Sequence, residues 1–139
     1  MKKQKLIIDY EYDFELWGIV SSIKEYKLAW QINNAFPLEL MREADIKVSS
    51  EKMSLSIVNY KSSSENSVIR LLKNKSIAEK AIFYLVPELK KIDYFFIIDS
   101  DDDTFPIENL YHCLNKCSGV EYLTKIDLSK LNSKDNLLF

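Results

Sequence analysis

Asp93-Tyr-Phe-Phe-Ile-Ile98 is apolar without a break after its first residue, and its side chains are aromatic or β-branched. Such a run reads as a buried strand near the centre of a sheet. Just before it, Pro87-Glu-Leu-Lys-Lys91 places proline at the first position of a helical turn, where its missing N–H costs nothing. Residues 81–86 form a short apolar run, read as a strand. After the acidic segment 99–103, residues 106–116 carry Ile107, Leu110, Tyr111 and Leu114 at i, i+3, i+4 and i+7, with Gly119 just beyond. That spacing predicts a helix with a single buried face. Residues 120–127 read as the last strand, and the tail 128–139 is apolar enough at its end to dock on the domain.

Toward the N-terminus, residues 6–20 alternate: Ile8, Tyr10, Tyr12, Phe14 and Leu16 lie on one side, and Asp9, Glu11, Asp13 and Glu15 on the other. Period two predicts a half-buried strand, or two with a bend, in a sheet with one wet face. Ser22-Ile-Lys-Glu25 has the capping-box pattern, and Pro37 disfavours helical geometry before it, so a helix is expected over about 22–36. Its polar arc holds Lys24, Lys27, Gln31 and Asn34, while apolar residues, among them Tyr26 and Trp30, spread around most of the remainder. Either this helix is packed on two sides within the domain, which is the plainer expectation, or part of it is an interface. Residues 45–48, 53–60 and 68–73 read as three strands of a meander, the last two joined by the polar segment 61–67. The order of elements predicts an α+β fold: a largely antiparallel sheet of about 5–7 strands with two main helices, 22–36 and 106–117, on one face.

The chain of 139 residues suits a single domain, 1–139, with one core. A formal charge of −2 supplies no global field to attract a polyanion. Only three apolar residues separate the basic start from Asp9, far short of a signal peptide's apolar region, and no apolar run approaches the about 18 residues of a membrane span. A cytoplasmic protein is expected.

The segment Val86-Pro-Glu-Leu-Lys-Lys-Ile-Asp-Tyr94 resembles the signature of the IPExxxVDY family, a group of small bacterial proteins, with Val86 for the family's isoleucine and Ile92 for its valine. Further stretches are similar to that family: Asp13-Phe-Glu-Leu-Trp-Gly-Ile19, Glu25-Tyr-Lys-Leu-Ala-Trp30, Asn74-Lys-Ser76 and Ser133-Lys-Asp-Asn-Leu-Leu-Phe139. The resemblance implies no activity, substrate or cofactor, because the family has none assigned. Read physically, Pro87 fixes a turn, Glu88 sets a carboxylate at that turn's positive end, and Asp93 and Tyr94 lead into the strand. A structural role for these four residues is the plain expectation; the alternative makes Glu88 and Asp93 a carboxylate pair facing a partner or an ion.

Two isolated glycines, Gly18 and Gly119, exclude the phosphate-cradling loops of the common nucleotide-binding folds. His112 is turned about 100° from Cys113 on the helix, so no Cys–His nucleophile forms, and His112, Cys113 and Cys117 are too few for a structural zinc site. The cysteines are expected as small core residues and His112 as exposed. Asp99, Asp101 and Asp103 share a calcium loop's first spacings, but Thr104 and Leu110 occupy the positions of its glycine and bidentate glutamate. At most a weak cation site remains. Lys73, Lys75, Lys90 and Lys91, with Tyr84 and Tyr94 nearby, form a conceivable RNA patch, although a solvated charged surface is the plainer reading.

No catalytic residue, cofactor or metal is assigned; an enzyme would need Glu88, Asp93 and Asp101 as acid, base or ligands. The favoured reading is a non-catalytic interaction or adaptor domain that binds a protein partner or a second copy of itself, with Tyr26, Trp30 and Trp17 as interface candidates. An RNA-associated accessory factor is the alternative.

Overall fold

The computed structural model describes residues 14–49, 54–78, 81–100 and 106–137. The fold is α+β, built on a six-stranded antiparallel sheet. Its strands are β1 (Glu15–Val20), β2 (Met41–Ser49), β3 (Ser54–Ser63), β4 (Ser67–Lys73), β7 (Tyr94–Ser100) and β8 (Tyr122–Ile126), in the order β2-β3-β4-β7-β1-β8. A separate hairpin pairs β5 (Lys75–Ala78) with β6 (Ala81–Tyr84). The helices are α1 (Glu25–Ala35) and α2 (Ile107–Lys116), and neither is long and apolar enough to cross a membrane.

Strand β7 lies between β4 and β1, and its aromatic run shows why it must. Tyr94, Phe96 and Ile98 enter a core beneath the helices together with Ile19, Leu28, Ile32, Ile69, Leu71, Leu110 and Leu114. Phe95 and Ile97 enter a second core on the opposite face with Leu16, Ile57, Leu72, Leu85, Val86, Leu131 and Leu137. The expected wet face and single core are therefore corrected. The hairpin, the Pro87–Leu89 turn and the tail cover the face that the helices leave open, and β1 is buried on both sides: Leu16 faces one core and Ile19 the other. The strand ahead of residue 14 lies outside the described residues.

Asn74 is the point at which the chain leaves one sheet for the other. Its N–H still bonds Asp93 O of the main sheet at 3.0 Å, while its own carbonyl accepts from Leu85 N beside the hairpin at 2.7 Å. The side chain is fully buried. Its amide donates to Leu89 O (2.9 Å) and Ile92 O (2.8 Å), and its oxygen accepts from Val86 N (2.9 Å). Ser76 then pins the hairpin to β3 by donating to Ser56 O at 2.9 Å.

The proposed capping box at Ser22 is also corrected. Lys24 is the N-cap of α1 and makes no side-chain cap bond. Tertiary bonds hold the preceding residues in place: Ser21 N donates to the Asp93 carboxylate (2.8 Å), and the Tyr94 hydroxyl donates to Ile23 O (2.7 Å). Nor does Gly119 cap α2, which ends in extended backbone at Cys117. Gly119 instead permits close approach, since a Cβ there would stand 2.2 Å from Ile23 Cδ1.

Candidate interaction surface

Helix α1 presents a face that the other described residues do not cover. Leu28, Ala29 and Ile32 turn into the core. Gln31 is drawn toward the loop after α2, accepting from Gly119 N at 2.8 Å and donating to Ser118 Oγ at 3.1 Å. Asn33 near the C-terminal end exchanges two bonds with the backbone of Leu40, and Lys73 Nζ stands 3.5 Å from Glu25 Oε2 at the first turn, so the helix is held at both ends. Tyr26, Lys27 and Trp30 face outward around a hollow of about 480 Å³ that Gln31 completes.

Tyr26 is 55% exposed and Trp30 67%, which corrects the expectation that α1 is packed on two sides within the domain. The loop after α2 meets α1 at Gln31, and the aromatic pair stays exposed. Met41, Ile82 and Tyr122 are exposed too, but on three different strands, and isolated exposed apolar residues are ordinary. Trp17 does not join this surface. It is partly buried in the helix-side core, its ring 5.2 Å from that of Tyr111 on α2.

The carboxylates of the 86–94 segment go to different places. Asp93 accepts from Ser21 N, whereas Glu88 accepts from Asn132 N (2.6 Å), Ser133 N (3.0 Å) and the Ser133 hydroxyl. Glu88 thus fastens the tail ahead of its last turn, Lys134–Leu137, and it forms no pair with Asp93. Partial burial raises the Glu88 pKa, but the bonds from Ser133, its own amide and Asn132 outweigh this and leave it below the ordinary value of 4.5. A folded pKa below the unfolded one contributes stability that is complete above about 4.5 and disappears as pH falls through the folded value. Protection of the Asn132 and Ser133 amides, measured against their intrinsic exchange rates, should therefore fall on acidification through that range. In Glu88→Ala the exchange should already be fast at neutral pH, with no such acid step; slow exchange in that variant would show that Glu88 does not hold the tail.

Two of the four lysines, Lys75 and Lys90, come together at Tyr84, while Lys73 turns to another partner. Lys73 reaches across to α1, 3.5 Å from Glu25 Oε2. Lys75 stands opposite Tyr84 in the hairpin, Lys90 lies 5.9 Å over the Tyr84 ring, and Lys91 is exposed in the turn that follows. Asp99 is exposed at the end of β7, while Asp101 and Asp103 lie outside the described residues. Among the described residues, no three His, Cys, Asp or Glu side chains are grouped to hold a metal. His112 is exposed with its ring edge toward Tyr111, and Cys117 is buried with its thiol donating to Cys113 O at 3.4 Å. Burial, reinforced by Cys113, pushes the Cys117 thiol up, away from a reactive thiolate.

Asn74 was not singled out as a chemical residue in the sequence, because a polar Asn-Lys-Ser after a strand has the composition of an ordinary turn. In comparisons with known proteins, no family model and no curated protein matches this chain.

Proposed function

We propose that this protein is a non-catalytic interaction domain of the bacterial cytoplasm, whose first helix offers Tyr26 and Trp30 to another protein. A single observation supports this most: two large aromatic residues one turn apart, on a helix tied down at both ends, stand more than half exposed beside a hollow. Tryptophan and tyrosine are the side chains that most often anchor protein interfaces, because a rigid ring buries much area at little entropic cost. Membership in the IPExxxVDY family is part of the same proposal, on the strength of residues 86–94 and the matching flanks. The RNA alternative has less support, since Lys73 is engaged by Glu25.

Trp30→Ala and Trp30→Lys should change unfolding free energy by no more than about 0.5 kcal/mol, as exposed substitutions do. They should weaken partner binding by about 2 kcal/mol or more, roughly thirtyfold. Thermal melts alongside pull-downs from bacterial lysate, at low and high salt and with ribonuclease, read both quantities. A protein held by the wild type in high salt after ribonuclease, and lost by folded Trp30 variants, supports the reading. Unfolding of the variants, or a catch that survives them, overturns it. Equilibrium sedimentation shows whether that partner is a second copy.

A further inference from the structure

The charges around the aromatic pair say what kind of segment would cover it. Lys24 and Lys27 are exposed on α1, Lys27 lining the hollow itself. The one carboxylate on the helix, Glu25, is turned aside to Lys73, so the outward face carries positive charge that its own helix does not balance. The chain's total charge is −2, so this positive face does not come from a basic chain as a whole. Resting on the reading above, we propose that this face takes an acidic peptide segment bearing an apolar or aromatic side chain. The anchor enters the hollow between Tyr26 and Trp30, and flanking carboxylates meet Lys24 and Lys27.

A second copy of the chain fits less well. A two-fold contact through this face would bring Lys27 toward its equivalent, and like charges brought together at an interface cost several kcal/mol. A hollow lined by four side chains is also far short of the about 20 residues a side of a stable dimer. Single-stranded RNA would use the same rings for stacking and the same lysines for phosphate. Two lysines on a net-acidic protein are a weak electrostatic footprint for it.

Fluorescence anisotropy with three labelled probes decides among these. The probes are a short peptide of glutamates interrupted by leucine and phenylalanine, the same peptide with lysines for glutamates, and an oligouridine. The full chain should bind the glutamate peptide at least about tenfold more tightly than the lysine one. The double variant Lys24→Glu/Lys27→Glu should reverse that order, and Trp30→Ala should abolish both, with melts confirming that each variant is folded. Equal binding of the two peptides, indifference to charge reversal, or no Trp30-dependent binding at all overturns the proposal. Preference for oligouridine that the same substitutions remove replaces it with a nucleic-acid surface. Where Trp30→Ala abolishes capture in the pull-down but charge reversal leaves it intact, only the acidic character of the partner is wrong and the interaction surface stands.

Discussion

Replacing Asn74 with alanine should lower unfolding free energy by about 3 to 5 kcal/mol, among the largest effects of any polar substitution in the chain. The side chain is fully buried and makes three bonds to the backbone of residues 86, 89 and 92. Its removal leaves the Val86 N–H and the Ile92 carbonyl without this partner away from water, while Leu89 O keeps its bond from Ile92 N, and each unsatisfied buried group costs about 1 to 3 kcal/mol. Asn74→Asp keeps the acceptor for Val86 but sets a carboxylate against two carbonyl oxygens. Burial raises such a carboxyl's folded pKa above its unfolded one, so this variant should be most stable at acid pH and lose stability as pH rises. Urea melts of both variants across pH measure the effect. A loss below about 1 kcal/mol for Asn74→Ala, within the range of a single ordinary hydrogen bond, would remove Asn74 from the centre of the fold.

The second large effect separates two pictures of the sheet. Phe95 and Phe96 are both fully buried, one beneath the hairpin and tail and the other beneath the helices. Phe95→Ala and Phe96→Ala should therefore each cost about 3 to 5 kcal/mol, the range for buried aromatic truncation. Were one face wet, as the alternation of the N-terminal stretch alone suggests, one of the two would fall within about 0.5 kcal/mol of wild type. Denaturant melts of the pair distinguish these outcomes directly.

That contrast also shows how far the sequence could be read. The apolar run of β7 and the stripe of α2 are strong periodic signals, and both elements stand where those signals place them. The hairpin partner β5 was missed because four residues, Lys75–Ala78, carry too little periodicity and follow β4 after the single residue Asn74. Which carboxylate serves which backbone depends on tertiary approach: Glu88 meets Asn132 and Ser133 across more than 40 positions, and Asp93 meets Ser21 across 72. The start of α1 moves for the same reason, since Asp93 and Tyr94 hold the backbone of Ser21 and Ile23, on either side of Ser22. At the candidate surface, the over-wide apolar arc of α1 was visible as a pattern. Whether protein or solvent met it depended on where α2 docks, which helical spacing does not encode.

Photo-crosslinking inside bacterial cells tests the central claim most directly. A photoreactive phenylalanine analogue replaces Trp30 in one variant and the exposed His112 of α2 in another. The account predicts a discrete adduct with one protein from position 30, absent from position 112 and diminished when Lys24 and Lys27 are reversed to glutamate. No adduct from position 30, or the same set of adducts from both positions, would contradict it.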